Sequence, residues 1–91
     1  MAAIEKKIIL ENVDLVSIFG TNDSNINLIE SRFKTGLIIR GNEITLKGDE
    51  NEVVKIEKIF NEMKYILKKN KNLTTSDVKT VIELIDDDRP K

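Results

Sequence analysis

The 91-residue sequence predicts an α+β fold: a three-stranded antiparallel sheet with helices packed on one face, and one further helix at the C-terminal end. Three observations predict it. Apolar residues alternate with period two in "IEKKIIL" and "LIIRGNEITLK", as in half-buried strands. Elsewhere they recur at three- and four-residue steps, as on amphipathic helices. Gly41-Asn42 then joins two β-rich runs as a two-residue hairpin connection. The order is strand, helix, helix, strand, strand, helix, helix, and placing the helices on one face of the sheet buries all the apolar stripes together.

Residues 1–10 form the first strand, with Ile4, Ile8 and Leu10 on one face and Lys6 interrupting it. In "ENVDLVSIFG", Val13, Val16 and Phe19 fall at helical spacing, and Gly20 is placed as the residue that ends the helix. Asp23 or Ser24 can cap a second helix, which buries Ile26, Ile29 and Phe33 with Leu28 at its flank and stops near residues 34–36. The hairpin sets Arg40 opposite Glu43, Ile39 opposite Ile44 and Leu37 opposite Leu46. The aliphatic pairs then share a buried face, and Arg40 and Glu43 form an ion pair on the other. Asp49 and Glu52 stand in capping-box relation before a long helix carrying Val53, Ile56, Phe60, Met63 and Leu67, with Ile59 and Ile66 beside them. Thr74 and Asp77 repeat that relation before a last stripe of Val78, Val81, Ile82 and Ile85. Periodicity is lost in "DDDRPK". The expected division is a domain over 1–85 and the start of a linker over 86–91.

Composition narrows the chemistry. Cysteine and histidine are both absent, which removes disulfides, thiolate nucleophiles, the commonest zinc ligand and the commonest general base near neutral pH. The 15 basic and 16 acidic side chains nearly cancel, so contact with a polyanion requires a local basic patch. Apolar runs never exceed four residues, far short of a membrane span or secretory signal, and the expected location is cytoplasmic with no membrane partner. Carboxylates are scattered. The close set Asp86, Asp87 and Asp88 lacks calcium-loop spacing and reads as a solvated tail, so no metal site and no catalytic residue is expected.

The order β-α-α-β-β-α, with a short glycine-containing turn between the first two helices, resembles the KH fold of RNA-binding proteins. That family's turn reads Gly-x-x-Gly and clamps a single-stranded backbone. Here the turn reads Gly20-Thr21-Asn22-Asp23, so its second glycine is replaced by aspartate. More narrowly, residues 4–85 resemble the N-terminal region of the bacterial PhoH family of phosphate-starvation-inducible ATPases. Phe19, Gly20, Asp23, Asn25, Ile26 and Glu30 fit that family's helix-turn-helix pattern. Arg40, Gly41, Asn42, Glu43, Thr45, Gly48 and Asp49 fit its hairpin pattern. The resemblance implies a following P-loop ATPase domain that uses ATP and magnesium, a nucleotide-binding parent protein with an RNA-linked role, and that ATPase domain as a partner. No G-x-x-x-x-G-K-[ST] occurs in these residues, so this chain is expected to be non-catalytic.

Two functions follow as expectations. The first is weak single-stranded RNA binding along a groove formed by Gly20, Thr21, Asn22 and Asn25 with Arg32, Lys34, Arg40 and Lys47. The second is a protein-interaction or oligomerisation module. The turn itself admits two readings: backbone amides offered to a phosphate, or a plain corner in which Asp23 or Ser24 caps the helix and a carboxylate repels the anion. Lys64, Lys68, Lys69 and Lys71 form the densest basic run. They are open to reading as a nucleic-acid contact, with Tyr65 the one ring nearby, or as complements to a helix dipole.

Overall fold

The computed structural model describes residues 3–86. Its elements run β1 (Ala3–Ile9), α1 (Leu15–Phe19), a single 3-10 turn (Thr21–Asp23), α2 (Ser24–Arg32), β2 (Gly36–Arg40), β3 (Glu43–Asp49), α3 (Glu50–Asn70) and α4 (Thr75–Asp86). This is the expected α+β order, KH-like with one appended helix. The sheet is antiparallel with order β1-β3-β2, so β3 is central and both other strands are edges.

The hairpin takes the register that the sequence dictates, with Arg40 opposite Glu43, Ile39 opposite Ile44 and Leu37 opposite Leu46. Of the two turn residues only Gly41 has positive φ, 60°, as a type II′ connection requires at its first position. Ile44 and Leu46 are fully buried under α3, and Ile8 of β1 joins them. Lys6 lies on this same face opposite Leu46. It reaches α3, where its Nζ is 3.0 Å from Glu57 Oε2, so the interruption in the apolar face is a strand-to-helix ion pair.

Helix α3 supplies more of the core than any other element, through Val53, Ile56, Ile59, Phe60 and Met63, all with no exposed surface. Helix α4 packs against both α2 and α3 through Val78, Val81 and Ile82. Its start is capped reciprocally: Thr74 N donates to Asp77 Oδ2 at 3.1 Å and Asp77 N to Thr74 Oγ1 at 3.0 Å. Its end is fixed too. Asp86 Oδ2 lies 2.7 Å from Arg32 Nε, and its Oδ1 lies 3.2 Å from Lys55 Nζ. Asp86 therefore belongs to the folded helix rather than to a solvated tail, whereas Asp87, Asp88 and the rest of the expected linker lie outside the described residues.

Three local expectations are corrected. Of the apolar residues expected to face in from α1, Val13 and Phe19 pack half-buried against the core, but Val16 is 71% exposed, and Ile18 is the residue with no exposed surface. Asp14 starts the helix, accepting from Val16 N at 3.2 Å and from Ser17 Oγ at 2.9 Å. Leu15 and Ile18 thereby become its inward i, i+3 pair. Asp49 makes no side-chain cap for α3, and Glu52 does not reach back to it. Instead Glu52 Oε1 accepts from Lys34 N at 3.0 Å, Thr35 N at 3.1 Å and Thr35 Oγ1 at 2.8 Å. It holds the α2–β2 connection onto α3, which lets Thr35 be buried with its donors satisfied. Finally, Arg40 and Glu43 stand opposite each other without an ion pair between them.

Candidate nucleic-acid interface

The α1–α2 turn is built around one glycine. Gly20 sits at φ 84°, ψ 163°, a conformation open essentially to glycine alone. This is not the left-handed helix-ending geometry expected for it, because the chain must run out of α1 before turning back. Its N–H closes α1 by donating to Val16 O at 2.8 Å, and its carbonyl accepts from Asp23 N at 3.0 Å. A Cβ placed on Gly20 would lie 2.5 Å from Ser24 Oγ and 2.9 Å from Asn25 N, so the two helices meet there as closely as backbones can.

Beyond Gly20, Asn22 (φ 55°) and Asp23 (φ 58°) are both left-handed, a conformation that Asn and Asp tolerate better than other side chains. A capping residue ordinarily takes the β region, from which its oxygen reaches the next amides. Left-handed Asp23 does not: its carboxylate makes no cap hydrogen bond to α2, and Ser24 is held by its backbone, its N–H donating to Thr21 O. The expected side-chain cap from Asp23 or Ser24 is therefore absent, while Gly20 ends α1 as expected. Asn25, by contrast, is 2% exposed and fully engaged, its Nδ2 donating to Ile18 O at 3.0 Å and to Ser17 O at 3.4 Å. Its work is to fasten α1 onto α2.

The turn opens onto a depression of about 350 Å³ lined by Ser17, Gly20, Thr21, Ser24, Thr74 and Thr75. The last two come from the start of α4, an approach invisible in sequence because more than fifty residues separate them from Gly20. The lining is rich in hydroxyl and backbone donors and contains no cationic side chain.

The expected site residues do not all converge. Gly20, Thr21 and Asn25 meet at the depression, with Asn22 exposed on the turn. Arg32 is spent on Asp86. Lys34 lies beyond the far end of α2, in the connection held by Glu52. Arg40 and Lys47 share the outer face of the sheet. They pair in register with Glu43 and Gly36, opposite in sense to the buried Ile44 and Leu46. Lys47 Nζ is 3.9 Å from Glu5 Oε1 on that outer face. One groove combining all eight residues therefore does not exist.

Among the described residues, no group of three or more acidic, histidine or cysteine side chains could hold a metal ion, and no helix is long and apolar enough to cross a membrane. Comparison with protein-family models, curated proteins and solved structures gives no match for the chain.

Proposed function

We propose that this chain is a non-catalytic accessory domain of a PhoH-like ATP-binding protein, and that it binds single-stranded RNA weakly through the turn between α1 and α2. The observation that supports the reading is the uncapped start of α2. A turn that only glycine can make delivers the chain into α2 with no side-chain cap hydrogen bond at its start. Asp23 N and Ser24 N already donate to Gly20 O and Thr21 O, so the donors that suit the oxygens of a phosphate are the hydroxyls of Thr21, Ser24 and Thr75 beside the start of α2. No lysine or arginine lines the depression, so few counterions are released and binding of a short strand depends little on salt.

Asp23 supplies the test. Its carboxylate is exposed on the turn that leads into this site and makes no cap hydrogen bond, and asparagine keeps both the shape and the left-handed preference. At about 6 Å in a largely aqueous setting, one like charge costs about 0.7 kcal/mol. Asp23→Asn is therefore expected to tighten binding of a four-nucleotide RNA about threefold, with amide shifts confined to residues 20–25 and 73–75 in an NMR titration. Wild type and variant without shifts there at near-millimolar RNA would sink the proposal.

A second reading, a protein-interaction or self-assembly module, draws on the open outer face of the sheet. Ile9 and Ile38 are 46% and 48% exposed there, and β2 is an unpaired edge. Sedimentation over a wide concentration range tests it: a constant monomer mass removes self-assembly.

A further inference from the structure

A second, larger cavity plays no part in that turn. It is an open cleft of about 640 Å³ between the β1–α1 connection and the C-terminal half of α3. One wall is formed by Lys64, Lys68 and Lys71 around Tyr65, and Asn12 and Asn61 also line it. Ser17 lines both this cleft and the depression beside Gly20, so the two are neighbours across α1.

Lys64 and Lys68 follow i, i+4 spacing and so share a face of α3, and Lys71, the left-handed residue that ends the helix, lines the same cleft. None of them forms an ion pair among the described residues. Dipole complementation accounts for lysines in the last turn of a helix, where that field acts. It does not account for Lys64, which stands more than one turn before Asn70. The cleft also holds two carboxylates, Glu11 and Asp14, and Asp14 is already occupied in starting α1. Tyr65 is 56% exposed, with Lys69 Nζ 5.8 Å from its ring centroid, a cation–π distance.

We propose that this cleft is a second contact for a single nucleic-acid strand, which stacks one base on Tyr65 and places successive phosphates against Lys64, Lys68 and Lys71. The choice of partner rests on the RNA reading above. An acidic peptide would use the lysines but has no need of the ring or of the Asn12 and Asn61 amides, which suit the edge of a base. Because Ser17 borders both cavities, one strand held at the turn continues into the cleft. The turn supplies uncharged donors and the cleft supplies the cations.

The test uses the whole chain and a labelled single-stranded RNA of about 12 nucleotides, within the range such grooves cover. Two variants are made at exposed or half-exposed positions where folding is little affected, Tyr65→Ala and the triple Lys64→Gln, Lys68→Gln, Lys71→Gln. Three phosphate contacts to a single strand contribute about 2 to the slope of log affinity against log salt. The triple variant is expected to lose that slope, and Tyr65→Ala to bind at least about fivefold more weakly. Both should leave the amide shifts at residues 20–25 intact. Unchanged affinity and slope in the triple variant, with those shifts still present, would overturn the cleft and leave the turn standing. Shifts in the cleft alone would support the cleft and overturn the turn. A reduced slope with Tyr65→Ala unchanged, and polyglutamate competing as well as RNA, would replace the nucleic acid with an acidic protein segment. No shifts anywhere would overturn both sites.

Discussion

Replacing Gly20 with alanine probes how tightly the two short helices are joined. At φ 84°, ψ 163° the backbone strain for a residue with a Cβ is about 1–3 kcal/mol. The new methyl would also sit 2.5 Å from Ser24 Oγ, 2.9 Å from Asn25 N and 3.0 Å from Asn25 Cγ. The serine hydroxyl can rotate away. The amide nitrogen and the buried Asn25 cannot move without displacing α2, and such overpacking adds about 1–3 kcal/mol. The expected loss is about 2–6 kcal/mol, out of about 5–14 kcal/mol for a domain of this length. With a urea dependence of about 1 kcal/mol per molar, the unfolding midpoint falls by about 2 M or more. Gly41→Ala is the control, because φ is 60° there and nothing lies within 4 Å of the added methyl. It carries backbone strain alone, about 1–2 kcal/mol. Urea unfolding followed by far-UV circular dichroism compares the two. Equal losses, or a loss under about 1 kcal/mol for Gly20→Ala, would refute the close approach of α1 and α2. The same arithmetic makes substitutions at Gly20 unsuitable for testing ligand binding, because they act on the fold first.

Substitutions at two further positions probe the contacts that sequence spacing misassigned. Glu52→Ala removes the acceptor of three hydrogen bonds and strands the buried Thr35 amide, and is expected to cost about 3 kcal/mol, whereas Glu52→Gln retains an acceptor and costs about 1 kcal/mol. Equal effects in urea unfolding would show that the charge, not the acceptor, matters. The hydrogen bond from Arg32, with Lys55 beside it, holds the Asp86 carboxyl below its ordinary range against the opposing effect of burial. A lowered folded-state value means the stabilisation is fully present above the unfolded value near pH 4 and fades as pH falls through the lowered one. Wild type should therefore exceed Asp86→Asn by about 1 kcal/mol at pH 7, with the gap closing as the solution is acidified below about pH 4. A gap that persists at pH 2 would locate the effect outside the carboxylate.

What was legible in the sequence follows from how local its determinants are. The hairpin register is set by two turn residues and an alternating pattern, and it folds as written. The Thr74 and Asp77 cap is likewise complete within four residues. The same spacing misleads at Asp49 and Glu52, because a carboxylate three residues into a helix can serve any donor within reach. The α2–β2 connection supplies three. Helix α1 is five residues long, too short for its apolar spacing to fix a phase, and the Asp14 cap decides which side faces in. Arg40 and Lys47 are a different case. Each follows a residue of the buried face directly, so alternation already places them on the outer side, away from Gly20. The approach of α4 to the turn left no sequence signal, since it depends on how α4 packs against α2 and α3.

The near-zero net charge does not by itself decide against a polyanion partner, because charge acts where it is unpaired. Lys6, Arg32 and Lys55 are matched with carboxylates that bind helix to strand or helix to helix, and Lys47 faces Glu5 across the sheet. These pairs contribute cohesion and cancel at a distance of about one Debye length, near 10 Å at moderate salt. From Lys64 to Lys71 four lysines follow one another with no acidic residue among them, so the local charge there is positive although the sum over the chain is −1. A strand of RNA responds to the local field and not to the sum. On that argument salt sensitivity should depend on RNA length: slight for an oligonucleotide that fills only the hydroxyl-lined depression, and steep once the strand reaches the lysines across α1.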